Sequence, residues 1–261
     1  MKIGIVAEST GLPLRQALAA AARIGAAGVQ IDSAGDLSPD RLSETGRREL
    51  RNHLRTYNLA LTSLNAPLRR GIDIADDQQA RIEHVRKVMT LAYDLGTRVA
   101  IIPCPRIPDD TEVSRAQLLR EALLALGTLG DRIGTTLALE IGLDPGNKVR
   151  DYLAGFDVGS LGVNYDPANL LLNGHDPVQN LTPLRDRIAH THARDARAAT
   201  VGRVAQEVPL GAGDVDWLSY VAALAALEYR GWLVVERQTG NRRLADVEAG
   251  VQFLKRLIIP S

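Results

Sequence analysis

The sequence predicts an α/β protein, a single closed (β/α)8 TIM barrel spanning residues 1–261. Short apolar runs alternate with longer helical patterns along the whole chain. Four Ala/Leu-rich helical runs end at or near Gly and pass into an apolar strand: AARIGAAGVQI, LAYDLGTRVAII, GDRIGTTLALEI and AALEYRGWLVVE. Gly at a helix end supplies the left-handed cap, and the following strands lack in/out alternation because both faces are covered, as in a parallel sheet. Eight such units over 261 residues average about 33 each, the size of one βα unit. An open doubly wound sheet would show fewer strands and a Gly-rich first turn, and the first turn here, AESTGLPL, holds no GxGxxG.

In chain order, the first strand is Ile3–Ala7, and the first Gly-ended helical run leads to the second, Val29–Asp32. A helix over Pro39–Tyr57 precedes the strand Ala60–Asn65, and a helix over Asp76–Leu95 precedes Val99–Pro103. The helix Ser114–Ile133 leads to Leu137–Ile141, followed by the strands Gly162–Asp166 and Ile188–His192. A helix over Val215–Leu227, the strand Trp232–Glu236 and a helix over Leu244–Leu257 complete the set. The least regular stretches, PLRRGIDIADD, PCPRIPDDTEV, GLDPGNKV, DPANLLLNGHDP and ARDARAATVGRVAQEVPLGAGDVDW, all follow strands. In a barrel they share one face, the one that carries function.

Composition narrows the classes. Lys plus Arg number 31 and Asp plus Glu 31, so the formal net charge is zero, which excludes the electrostatic footprint of a dedicated nucleic-acid or acidic-membrane binder. With 45% hydrophobic and 24% charged residues, the chain can bury a sizeable core. Cys104 is the only cysteine, so neither a disulfide framework nor a thiolate metal cluster is expected. The amino terminus lacks a signal-peptide h-region, and no apolar run approaches the ~18 residues of a membrane span. A soluble, unprocessed, cytoplasmic protein with no nucleic-acid or membrane partner is expected. A homo-oligomer is compatible with the sequence, which identifies no interface.

The chemistry concentrates at four strand ends: Glu140 in LALE, Asp166 in VNYD, His192 in AHTH and Glu236 in LVVE. A charge at the end of an apolar strand is expensive to bury unless it meets a cation or a partner. Ion pairs with the abundant arginines would explain one such residue, but four in register on successive strands point to a metal site. Three carboxylates and one imidazole form a hard donor set for one divalent ion, Mn2+, Mg2+ or Co2+, with Zn2+ also accommodated.

These residues carry a family resemblance. The segments LALEIG, VNYDPANLLLNGHDP, IAHTHARD, VPLGAGDVDW and GWLVVER resemble successive motifs of the xylose-isomerase-like barrel superfamily. This is the sugar phosphate isomerase/epimerase group that includes tagatose and psicose 3-epimerases, inosose dehydratases and hydroxypyruvate isomerases. The match is dense from Leu137 onward and vague before it. It implies that Glu140, Asp166, His192 and Glu236 ligate one divalent ion, and that Glu140 and Glu236 double as the catalytic acid/base pair. A metal gripping a carbonyl and a neighbouring hydroxyl acidifies the intervening C–H and stabilises the enediolate; a carboxylate on each face can then invert the carbon.

Departures from the pattern define what is open. The ketohexose epimerases carry a histidine three residues after the aspartate ligand, where this chain has Asn169, and an amide cannot take up that proton. Asp195 retains the acid expected three residues after the histidine ligand, while Ala212 replaces a frequent glutamate. The related DNA-repair endonucleases use additional histidines on earlier strands; here the third and fourth strands end at LTSLN and IIPCPR, and the first two offer only Glu8 and Asp32. A phosphodiester role is therefore disfavoured. Substrate contacts are expected from Asn169, His190, Asp195, Arg106, Glu8 and Asn65, with Arg194, Arg197 and Arg237 as further candidates for an anionic group. His190 reads equally as an orienting group inside the barrel, Trp217 as packing under a loop, and Cys104 as a small buried group. The expected function is a metal-dependent sugar isomerase or epimerase acting on a small polyhydroxy carbonyl compound. The alternatives are a dehydratase or lyase on a keto-inositol or 3-keto-glycoside, or a non-catalytic sugar-binding barrel.

Overall fold

The computed structural model describes residues 1–258; residues 259–261 of the expected 1–261 domain lie outside the described residues. Eight parallel strands close into a barrel: β1 (Lys2–Val6), β2 (Gly28–Asp32), β3 (Ala60–Asn65), β4 (Val99–Pro103), β5 (Thr136–Glu140), β6 (Leu161–Tyr165), β7 (Ile188–Ala193) and β10 (Trp232–Val235). Closure is made by β1 against β10, with Lys2 opposite Trp232 and Ile5 opposite Val235. The strands between β7 and β10, β8 (Asp195–Arg197) and β9 (Gln206–Val208), form a separate antiparallel ribbon. That ribbon lies in the long stretch expected to be irregular.

The outer ring consists of α1 (Leu14–Ile24), α2 (Glu44–Thr56), α3 (Gln78–Leu95), α4 (Val113–Ile133), α5 (Gly146–Ala154), α6 (Pro167–Leu172), α7 (Trp217–Ala226) and α8 (Arg243–Ile258). Gly25, Gly96 and Gly134 cap α1, α3 and α4 in the left-handed region, as the repeated helix-to-strand joints predict. The fourth joint differs: α7 ends at Ala226 with Leu227 as its cap, and Glu228, rather than Gly231, takes the positive φ of 58°. The helix expected from Pro39 starts at Glu44, because the Ser43 side chain accepts the Gly46 N–H and fixes the first turn there. The short helices α5 and α6 escaped the periodicity reading, having too few turns to show a repeat.

Residues 29 and 31 of β2 turn outward into the apolar layer beneath the helices, whereas Gln30 and Asp32 turn inward. The outer layer is apolar, with Val29, Ile31, Val85, Ala100, Leu126 and Leu137 fully buried. The barrel interior is instead polar, with Gln30, Thr62, Ser63, Asn164, His190 and His192 all buried. Gly28 admits this packing, since a Cβ there would lie 2.7 Å from Thr62 Cγ2 and 2.8 Å from the Trp232 ring. Among the described residues, no helix is long and apolar enough to cross a membrane.

Candidate active site

Glu140 is the last residue of β5, and Asp166 directly follows β6, where its Oδ1 accepts the Asn169 N–H at 2.9 Å and caps α6. His192 lies within β7, and Glu236 directly follows β10, its N–H bonded to Ala193 O at 3.1 Å. The hydrogen-bond register of four adjacent barrel strands therefore delivers all four groups to the carboxyl end of the sheet. Glu140, Asp166 and His192 each offer one ligand atom within 4.8 Å of the others. His192 Nδ1 lies 3.1 Å from Glu236 Oε2, 3.7 Å from Asp166 Oδ2 and 3.8 Å from Glu140 Oε2.

The electrostatics call for positive charge at this centre. Burial alone would discharge His192, but the adjacent Glu236, Asp166 and Glu140 hold its pKa well above the ordinary imidazole value. Burial would raise Asp166, and the Arg194 guanidinium at 3.2 Å overrides it and holds the carboxyl below its usual range. Glu236 is likewise held low by His192 against its own burial. Glu140 is pushed up to about 7 by burial, which outweighs His192. Glu236 Oε2 is buried and makes no hydrogen bond of acceptable geometry, despite its approach to His192. An orphaned carboxylate oxygen beside two further carboxylates and an imidazole nitrogen suits an oxygen-seeking divalent cation.

Of the other expected contacts, the structure brings Asn169, Glu8 and Asn65 to the site. Asn169 Nδ2 donates to Glu140 Oε1 at 2.9 Å, and its Oδ1 accepts from Arg194 at 2.8 Å. Glu8 and Asn65 line, with Asp32, Gln30, Glu140 and Glu236, a cavity of about 330 Å³. Glu8 Oε1 accepts the Asp32 N–H at 3.0 Å, while its Oε2 is buried without a partner; burial and the neighbouring Asp32 push its pKa to about 7.

Three expected contacts are corrected. His190 does not line the cavity: it is fully buried below it, with Nδ1 2.8 Å from Asn164 Oδ1 and Nε2 3.2 Å from Thr62 Oγ1, and burial keeps its pKa well below the ordinary value. Asp195 is withdrawn into the β7–α7 connection, where its carboxylate accepts N–H groups of Gly211 (2.8 Å), Gly213 (3.1 Å) and Trp217 Nε1 (3.0 Å). Its lone pairs are committed to holding that loop. Arg106 leaves the cavity altogether, 58% exposed and 3.8 Å from Asp144. Of the arginine candidates, Arg194 serves Asp166 and Asn169, whereas Arg237 lines the cavity while engaged by Glu207 at 3.2 Å and Asp246 at 3.0 Å. Burial pushes the Cys104 thiol up to about 12, consistent with an unreactive group.

Three residues were missed by the sequence reading. Gln30 Oε1 meets His192 Nε2 at 3.0 Å, and Asn164 Nδ2 approaches the same ring at 3.2 Å. Glu207 on β9 joins Arg194 and Arg237 and accepts the Gln238 and Thr239 N–H groups, tying the ribbon to the segment after Glu236. A lone Gln in an apolar strand and a Glu in a Gly/Ala-rich loop carry no motif; strand alternation from Asp32 was the one available signal for Gln30.

Comparison with known proteins agrees with the barrel fold. The family described as Xylose isomerase-like TIM barrel matches residues 18–257. An inosose dehydratase of Clostridium tetani is 33% identical over 104 residues, 35% of this chain and 35% of its own length. One from Salmonella typhimurium is 28% identical over 153 residues, 52% of this chain and 50% of its own. The chain thus spans between 28% and 50% of the length of the curated relatives it matches. Among solved structures, a xylose isomerase domain protein from Planctomyces limnophilus superposes with a TM-score of 0.83 at 21% identity, covering 92% of this chain and 91% of that one. A D-tagatose 3-epimerase-like protein gives 0.80 at 16%, covering 98% of both chains. The IOLI protein, solved with a zinc atom, gives 0.80 at 17%, covering 98% of this chain and 96% of that one. With the family matched over nearly its whole length and the closed eight-stranded barrel beneath it, the chain belongs to the xylose isomerase-like TIM barrel family.

Proposed function

We propose that this protein is a divalent-metal-dependent isomerase or epimerase of a small polyhydroxy carbonyl compound, active in the cytoplasm. The observation that carries the reading is the convergence of Glu140, Asp166 and Glu236 on His192 Nδ1, with Glu236 Oε2 left without a hydrogen bond. Glu140, Asp166, His192 and Glu236 would hold one ion, Mn2+, Mg2+ or Co2+, with Zn2+ also suited to the set. When bound, the ion supplies Lewis-acid polarisation of the substrate carbonyl, which acidifies the adjacent C–H. Glu140 and Glu236 then remove and return the proton. Asn169 orients Glu140 through its 2.9 Å hydrogen bond, and Glu8 and Asn65 take the remaining hydroxyls along the cavity wall. Binding alone needs no proton-transfer pair, which sets the enzyme reading above a sugar-binding barrel.

Purified protein should contain or take up about one divalent ion per chain and exchange a substrate C–H with D2O in a panel of ketoses, 2-keto-myo-inositol and 3-keto-glycosides. Glu140→Gln and Glu236→Gln should each lower that exchange by roughly 10²- to 10⁴-fold, the usual contribution of a positioned acid or base. Full exchange in either variant would remove the two-carboxylate mechanism. A second reading, loss of water after the same proton removal, is supported by the relatives named inosose dehydratase. Mass spectrometry separates the two: epimerisation conserves the substrate mass and dehydration lowers it by one water.

A further inference from the structure

Gln30 is 2% exposed and sits in β2 between the apolar residues Val29 and Ile31, where a polar side chain needs a reason. Its Oε1 has two neighbours, His192 Nε2 at 3.0 Å and Ser63 Oγ at 3.1 Å. The ring nitrogen of His192 that points at the three carboxylates is Nδ1, so the nitrogen that meets a cation there must be bare and the ring hydrogen must reside on Nε2. Nε2–H therefore donates to Gln30. The Ser63 hydroxyl donates to the same oxygen. With two donors converging on it, the amide has one orientation, because the flipped amide would set its own N–H groups against the His192 N–H.

Fixing the oxygen fixes the nitrogen. The Gln30 NH2 has no protein acceptor among the described residues, and Gln30 is one of the side chains lining the cavity that also contains Glu8, Asp32, Glu140 and Glu236. A buried amide with its carbonyl oxygen satisfied on the protein side presents two donors to whatever fills that cavity. The carboxylates lining the pocket, Glu8, Asp32, Glu140 and Glu236, accept hydrogen bonds when ionised, so a donor at Gln30 meets a different substrate atom from theirs.

We propose that Gln30 has two coupled roles: its carbonyl oxygen holds His192 as the Nε2–H tautomer with Nδ1 turned to the cation, and its NH2 donates to a carbonyl or hydroxyl oxygen of the substrate. The proposal rests on the metal-dependent reading above. It adds a specificity element on β2, in the half of the chain where the family resemblance is weakest. A substrate lacking an acceptor oxygen at that position leaves the amide unpaired and is rejected.

Two substitutions separate the roles. Gln30→Glu keeps an oxygen for His192 and Ser63 but replaces the NH2 by a second acceptor, whereas Gln30→Leu removes both functions. Gln30→Glu should bind Mn2+ at least as tightly as the parent, yet raise KM or lower kcat/KM for deuterium exchange on the active ketose or keto-inositol by on the order of 10²-fold. Gln30→Leu should weaken Mn2+ binding by about 10- to 100-fold in calorimetry. In zinc-loaded protein labelled with 15N-histidine, it should also lose the hydrogen-bonded Nε2–H signal of His192. Circular dichroism melting confirms that each variant is folded. Unchanged substrate kinetics in Gln30→Glu would overturn the donor role. Unchanged metal affinity and histidine spectrum in Gln30→Leu would overturn the positioning role. Parent protein that took up no cation and exchanged no proton would overturn the underlying reading, and this proposal with it.

Discussion

The two arcs of the barrel mouth use the same residue types to opposite ends. On the arc β5–β6–β7–β10, carboxylates meet cations: Asp166 faces Arg194 at 3.2 Å, Glu236 faces His192 at 3.1 Å, and both are held below the ordinary carboxylate range. On the arc β1–β2–β3, Glu8 and Asp32 have each other and Asn65, whose Nδ2 donates to Asp32 Oδ1 at 2.8 Å, but among the described residues no cation within ion-pair distance. Burial first, and then like charge, pushes both of these upward. Ionisation is thus set by the partner rather than by the residue type. In the proposed reaction, one arc maintains charge for ligation and proton transfer, and the other presents hydrogen-bonding groups for recognition. Glu140 stands between the regimes, a member of the charged arc that burial pushes to about 7.

The sharpest way to break this contrast is to delete a charge from each arc. Asp166→Ala removes a proposed cation ligand, the cap of α6 and one partner of the buried Arg194 together. Cation uptake should be lost, and stability should fall by about 2–4 kcal/mol, below the full cost of an unpaired buried charge because Arg194 keeps Glu207 at 3.5 Å and Asn169 at 2.8 Å. Asp32→Asn removes a repelled charge on the opposite arc and should retain both cation uptake and kcat, with only a moderate rise in KM. Calorimetric metal titration with thermal melting of both variants checks the pair, and comparable losses in the two would abolish the distinction between the arcs.

Legibility in the sequence follows the same division. Glu140, Asp166, His192 and Glu236 were visible because each interrupts an apolar run at its end, a placement that is costly without a partner. The strands themselves were visible because both faces are buried, and three of the Gly-capped joints fell where expected. Gln30, by contrast, is a single polar residue within a strand, and its meaning depends on Ser63 from β3 and His192 from β7, 33 and 162 residues away in sequence. His190 and Asp195 misled for a related reason. Alternation places His190 on the inner side correctly but does not reveal how deep it lies, and spacing from His192 does not reveal that Gly211, Gly213 and Trp217 return to claim Asp195.

Asp195 tests whether an acid beside the charged arc must take part in its chemistry. With its oxygens bonded to the loop before α7, Asp195→Ala leaves those donors unpaired and should cost about 2–3 kcal/mol of stability, seen as a lower denaturant midpoint. At a temperature where the variant is folded, KM and cation affinity should stay close to those of the parent. A large KM change without loss of stability would return Asp195 to the substrate site.

The smallest effect concerns Glu8, and it reads the uncharged arc directly. Its carboxyl has a pKa of about 7 in the folded chain against 4.5 ordinarily, so folding favours the protonated form. The associated stabilisation is fully present below 4.5 and is lost as pH rises through about 7. Glu8→Gln stays neutral throughout and abolishes that slope. The variant should match the parent near pH 4 and exceed it by roughly 1–3 kcal/mol at pH 8, the upper end being set by about 1.4 kcal/mol per unit of pKa displacement. Urea midpoints of the two proteins measured from pH 4 to 8 should therefore diverge across the interval from 4.5 to 7. Parallel curves would mean that Glu8 is ionised in the folded protein at the same pH as in the unfolded chain, and the arc β1–β2–β3 would then carry its charge as the opposite arc does.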